Sequence, residues 1–149
     1  TLVMESGRAL VDNSGYLVSS VLANKRLPDG RRGVVIDAGV NILYTSTWYK
    51  HDVLPAREIA GLPEPTVIYG PLCMNIDVLR DTLLFPPVNV GDKLVFRNVG
   101  AYNVTQWMQF ITYRPAVVMV SPTGEHALMR RAENLETMLS QEEMPSWLS

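Results

Sequence analysis

Short β-type runs cut by Pro/Gly turns constrain this chain more than any other feature. In Tyr16–Ala23, residues Tyr16, Val18, Ser20 and Leu22 alternate with Leu17, Ser19, Val21 and Ala23. Both faces are therefore partly apolar, which is the pattern of a central strand. Leu27-Pro28-Asp29-Gly30 follows, where proline presets φ and glycine accepts a left-handed position, so the chain reverses there. Gly33–Asp37 then returns as the second arm of a β-hairpin. Further runs have the same character: Thr66–Tyr69 after Leu62-Pro63-Glu64-Pro65, Thr82–Phe85 stopped by Pro86-Pro87, and Lys93–Phe96 after Val90-Gly91-Asp92. Ala116–Val120 and Glu125–Met129 flank the turn Pro122-Thr123-Gly124, and Thr1–Met4 reads as a short buried strand.

The period changes only near the end. Ala132, Leu135, Met138 and Leu139 are spaced as one helical face, with Glu133 and Glu136 early, where a helix dipole favours anions; Met144-Pro145 closes the run. The total is roughly seven to nine short strands and one helix, with no βαβ rhythm. This predicts a mainly β chain: an antiparallel, Greek-key-like barrel or sandwich with a short C-terminal helix. Its 149 residues are expected to form one domain, 1–149. The chain enters directly on a β-type run at Thr1, so a preceding segment of a larger protein is expected.

Composition removes several function classes. A formal charge of -2 and a pI near 5.6 give no electrostatic footprint for nucleic acid. The basic pairs Lys25-Arg26, Arg31-Arg32 and Arg130-Arg131 flank turns or strand ends. A single cysteine excludes an intrachain disulfide framework and a Cys-based zinc site. His51 and His126 are far apart and read as surface or packing residues, so no metal is expected. No apolar run approaches the ~20 residues of a membrane helix and no signal peptide is evident, so the expected location is the cytoplasm and no membrane partner is expected. P-loop, G-x-G-x-x-G, H-E-x-x-H and G-x-S-x-G patterns are missing from the sequence.

Three stretches hold the residues that carry chemistry. Gly70-Pro71-Leu72-Cys73-Met74-Asn75-Ile76-Asp77 follows an apolar strand and contains the lone cysteine. Cys73 is either a small buried hydrophobe or a thiol presented at a strand-to-turn junction. Glu5-Ser6-Gly7-Arg8 is either a turn with a surface ion pair or a polar site at which glycine allows a ligand to approach. Tyr44, Trp48, Tyr49, Lys50 and His51 crowd one irregular stretch, either as an aromatic mini-core or as a ligand surface.

Four islands in order resemble the C-terminal domain of the fold-type III pyridoxal-phosphate decarboxylases, the ornithine, arginine and diaminopimelate decarboxylase family. They are Glu5-Ser6-Gly7-Arg8, Asp37-Ala38-Gly39 with Asn41, Gly70 to Asp77, and Val90-Gly91-Asp92 to Gly100-Ala101-Tyr102. The likeness covers nearly the whole chain, including Arg130-Arg131-Ala132-Glu133-Asn134-Leu135-Glu136. It implies a β-barrel domain that follows an N-terminal (β/α)8 barrel absent from this chain. It also implies pyridoxal 5'-phosphate as cofactor, an amino acid as substrate, and a homodimer in which the cysteine loop reaches the partner's pocket. Carried over by residue, Glu5 would face the pyridine nitrogen, while Gly7, Arg8 and Tyr102 would hold the cofactor phosphate. Cys73 would be the catalytic acid across the dimer interface, and Tyr49, Met74, Asn75 and Asp77 would line the substrate.

The departures bear on the substrate. The family usually has proline where Ser6 stands. Ornithine- and diaminopimelate-type enzymes place an acid directly after the cysteine, where this chain has Met74. The diaminopimelate enzymes also carry an arginine at the position aligned with Thr45. Both grips on the diaminopimelate side chain are thus altered, which implies a less charged or larger substrate side chain. Two other readings compete: a non-catalytic homologue that binds a regulatory partner, and a free-standing β-barrel interaction domain.

Overall fold

The computed structural model describes residues 1–148. It divides into two compact units, Thr1–Met108 and a second beginning at Gln109. The first is built on a curled, mixed six-stranded sheet with strand order β3-β6-β1-β2-β4-β5. The strands are β1 (Tyr16–Arg26), β2 (Arg32–Ile36), β3 (Val53–Pro55), β4 (Glu64–Tyr69), β5 (Val78–Phe85) and β6 (Lys93–Arg97). β1 is central, as its pattern predicts, paired antiparallel with β6 through Tyr16↔Arg97 to Ser20↔Lys93 and with β2 through Val21↔Ile36 to Arg26↔Arg32. Ser19 and Val21 turn inward, while Tyr16, Val18 and Leu22 stay exposed on the other face. The hairpin turn closes as expected: Gly30 has φ 87°, its N–H donates to Leu27 O (3.0 Å), and the Arg31 N–H donates to Asp29 Oδ1 (3.0 Å).

The core lies under this sheet and contains Val34, Ile36, Ile68, Leu79, Leu94 and Phe96, each at most 1% exposed. One pairing departs from the antiparallel expectation, because β2 and β4 run parallel from Arg32↔Thr66 to Val35↔Tyr69. A parallel pair needs a crossover of a dozen residues or more. The stretch between β2 and β4 provides it, and on the way it adds β3 at the sheet edge against β6. β3 is a strand that the turn pattern alone does not reveal.

Thr1–Met4 is not a buried strand. It pairs with no strand among the described residues, and Leu2, Val3 and Met4 are exposed. Apolar β-type residues form a strand only where a ladder partner takes up their backbone groups. The first regular element is instead α1 (Arg8–Val11).

The second unit holds a two-stranded antiparallel ribbon, β7 (Val117–Val120) with β8 (His126–Arg130), and the helix α2 (Leu135–Leu139). α2 is capped by Asn134, whose side chain accepts the Thr137 N–H (2.8 Å). It is shorter than the spacing of Ala132 to Leu139 predicts. Glu133 lies outside it, accepting the Arg114 N–H (3.0 Å) and pairing with the Arg114 guanidinium (2.9 Å).

Candidate functional site

The segment Gly7–Gly15 and the turn after β6 are locked together by backbone bonds. The Gly100 N–H donates to Asp12 O (3.0 Å) and the Val99 N–H to Gly15 O (3.2 Å). The approach is closer than any side chain allows, since a Cβ on Gly100 would stand 1.9 Å from Val11 O. The contact brings Tyr102, two residues past Gly100, over Gly7: a Cβ there would sit 2.6 Å from the Tyr102 hydroxyl. Tyr102 itself has φ 65°.

Arg8 lies at the centre of this arrangement. Its Nη1 donates to Asp12 Oδ1 (2.7 Å), and its guanidinium carbon is 3.8 Å from the Tyr49 ring centroid and 5.7 Å from that of Tyr102. Arg8 Nε and Nη2 are buried and meet no hydrogen-bond partner among the described residues. Burying donors without acceptors is costly, so these two nitrogens could hold an external acceptor. Phosphate oxygens match it in charge and geometry, because an arginine fork binds them bidentately. Gly7, Arg8, Tyr49 and Tyr102 therefore meet in space, and Glu5 lies exposed in the segment that leads into them.

The cysteine loop forms a second cluster. Cys73 is exposed, as is Asn75, while Met74 is half-buried and packs against the core. Asp77 is 2% exposed and turned inward. Its Oδ1 accepts the Val40 N–H (2.8 Å) and its Oδ2 the Leu72 N–H (2.7 Å), while its backbone accepts the Gly70 N–H (3.0 Å). Burial pushes its pKa up against the pull of the two amides. Asp77 thus ties the loop to the strand end after β2 and shapes the presentation of Cys73. A pocket of about 380 Å³ lies between the Ser46–Lys50 stretch, with Trp48 and Tyr49, and the start of β5, with Ile76 and Arg80.

Three buried polar residues that sequence reading did not select as site residues lie behind this surface. His51 Nε2 is 2.7 Å from Thr45 Oγ1, which donates to Asn103 Oδ1 (2.8 Å). His51 is thus a packing residue, and burial lowers its pKa. Asn103 had only its adjacency to Gly100-Ala101-Tyr102 as a hint, whereas Thr45 stood out as a departure from the family's arginine and His51 as part of the crowded aromatic stretch.

The sequence model of the pyridoxal-dependent decarboxylase C-terminal sheet domain matches residues 9–100. The chain belongs to that family. The diaminopimelate decarboxylase of Archaeoglobus fulgidus is 30% identical over 151 residues, which cover 99% of this chain and 35% of that protein. The Helicobacter pylori (strain 26695) diaminopimelate decarboxylase is 31% identical, covering 96% of this chain and 36% of its own length. Among solved structures, a crystal structure of diaminopimelate decarboxylase from M. jannaschii superposes with TM-score 0.86 at 30% identity, covering 95% of this chain and 33% of that one. The H. pylori enzyme complexed with L-lysine gives TM-score 0.82 at 28% identity, with coverage of 93% and 34%. The chain therefore spans about a third of the length of the relatives it matches. No helix among its described residues is long and apolar enough to cross a membrane, and no group of three potential metal ligands is found among them.

Proposed function

We propose that this domain supplies one part of the active site of a pyridoxal-phosphate-dependent amino acid decarboxylase. The observation that carries the reading is the Arg8 fork, with two buried, unpartnered N–H-bearing nitrogens between Tyr49 and Tyr102 and beside Gly7. Arg8 and the Tyr102 hydroxyl would hold the cofactor phosphate, and Gly7 would keep the approach to it open. The Glu5 carboxylate would hold a proton at the pyridine nitrogen. When bound, pyridoxal phosphate supplies an electron sink for the pair left behind as carbon dioxide departs. The exposed Cys73 thiol would then give its proton to the substrate carbon, leaving a thiolate.

The reading also calls for two partners of this domain. An N-terminal (β/α)8 barrel would bring the cofactor-bearing lysine, and a second copy of the enzyme would receive the cysteine loop in its own pocket. Exposed Val118, Met119, Val120, Leu128 and Met129 on the β7–β8 ribbon support such docking, because an isolated two-stranded ribbon is marginal in water.

The substrate would differ from free diaminopimelate. Met74 cannot pair with a distal amine, and Thr45 is fully buried in side-chain hydrogen bonds, where it cannot grip a distal carboxylate. Tyr49, Asn75, Trp48 and the adjoining pocket suit a less charged or larger side chain. The test is a visible absorption spectrum of the full-length protein. A lysine-imine band lost on borohydride reduction, with a covalent cofactor adduct in the intact mass, is expected; no band with added cofactor would favour a non-catalytic homologue. A substrate screen in which only free diaminopimelate turned over rapidly would overturn the altered specificity.

A further inference from the structure

Tyr102 holds a left-handed backbone conformation that a bulky side chain keeps only where its surroundings over-determine it. Asn103 supplies that determination. Its Nδ2 donates to Val99 O (3.0 Å) and to Ala101 O (3.3 Å), so one amide group bonds the chain on both sides of Gly100. With both donations made, Oδ1 faces Thr45 and accepts from its hydroxyl (2.8 Å) and its N–H (3.3 Å). The Thr45 hydroxyl has one proton, given to Asn103, so it accepts from a protonated His51 Nε2 (2.7 Å). Thr45, His51 and Asn103 are at most 4% exposed, and each polar contact between them replaces water that cannot reach it.

We propose that Thr45, His51 and Asn103 are positioning residues that hold the Val99–Asn103 turn so that the Tyr102 hydroxyl meets the cofactor phosphate. The proposal rests on the phosphate-binding role assigned above to Arg8 and Tyr102. Thr45 matters through its hydroxyl, whereas a residue that only filled core space would matter through its volume. Thr45→Val keeps the shape and removes the hydroxyl, leaving the Asn103 acceptor and the His51 donor short of a partner. Thr45→Ser keeps the hydroxyl.

The test measures pyridoxal phosphate affinity by equilibrium dialysis of the full-length protein, alongside amide hydrogen exchange of the Val99–Asn103 turn. Thr45→Val is expected to weaken affinity about tenfold and to speed exchange of the turn, whereas Thr45→Ser stays within about twofold of the parent. Asn103→Asp, which loses the donations to Val99 and Ala101, is the second perturbation and has the same expected result. In a Tyr102→Phe background, Thr45→Val should cost no further affinity, since no hydroxyl is left to position. A tenfold loss that persists in that background, or no loss in either, overturns the network. Arg8→Ala separates the two claims: if it leaves affinity intact, the phosphate site itself is refuted. In that event unchanged exchange in Thr45→Val would also overturn the network.

Discussion

Gly100→Ala tests the assembly of the site at its tightest point. The new Cβ would lie 1.9 Å from Val11 O and 2.9 Å from the Val11 carbonyl carbon, both backbone atoms that cannot rotate away. Relief requires the Gly7–Gly15 segment to withdraw by roughly 1 Å. That movement breaks or stretches the Gly100 N–H to Asp12 O bond (3.0 Å) and the Val99 N–H to Gly15 O bond (3.2 Å). Two such bonds at about 1 kcal/mol each, plus about 1–3 kcal/mol of overpacking strain, give a loss of about 3–5 kcal/mol. Gly30→Ala is the matched control: it places a Cβ in open space at φ 87°, so it costs only the left-handed penalty of about 1–2 kcal/mol. Urea denaturation measures both. The functional readout is pyridoxal phosphate affinity, expected to fall in Gly100→Ala because Arg8 is carried away from Tyr102, and to hold in Gly30→Ala. A Gly100→Ala protein with parental stability and affinity would refute the close approach and the site built on it.

Asp77→Asn should destabilise the domain by about 1–3 kcal/mol, because one of the two amides it accepts, Val40 or Leu72, then faces a donor. The loosened loop should raise the alkylation rate of Cys73. The His51 pKa lies below its ordinary 6.5, chiefly through burial, so the unfolded chain binds the proton more readily. The stability that neutral His51 contributes is then fully present above pH 6.5 and falls as pH drops through the folded value; denaturation midpoints should show this acid limb, and His51→Gln should flatten it. If the proposed decarboxylase function holds, Met74→Glu, which places an acid beside Cys73, is expected to raise decarboxylation of a free diamino acid by the full-length protein, measured by carbon dioxide release. A Met74→Glu protein with the parental substrate profile would place side-chain recognition elsewhere.

Strands were legible wherever turn chemistry bounded them. Pro28 and Gly30 announced the β1–β2 hairpin, and Val90-Gly91-Asp92 announced β6. The parallel β2–β4 pair was hidden because register across a crossover is set by tertiary packing, and no local signal records it. Thr1–Met4 failed for the converse reason: its residues favour a strand, but no ladder takes them up among the described residues. In the site, Gly7, Arg8, Tyr49 and Tyr102 were legible as residue types and do meet. The position of Asp77 was legible, but not the inward turn of its carboxylate, because an aspartate that ligates and an aspartate that accepts backbone amides look alike in sequence. Asn103 and Thr45 were missed as supports since their partners lie 58 residues apart.

The extent of the family match carries its own structural logic. It runs from residue 9 to residue 100, and these two ends meet through the Asp12 and Gly100 backbones. Gly7, Arg8 and Tyr102 lie just outside the matched span, yet closing it places them side by side. The sheet thus acts as a clasp: β1 and β6 lie in register from Tyr16↔Arg97, and the short segments leading into β1 and out of β6 must therefore converge. Glycine at position 100 sets how closely they converge, and Asn103 sets the angle at which the chain leaves. In the proposed reading, side-chain recognition falls to the exposed Cys73 loop, outside this clasp. In this reading, a change at Met74 can alter the substrate while the clasp stays as it is. Variants at Met74 should therefore alter substrate preference with cofactor affinity preserved.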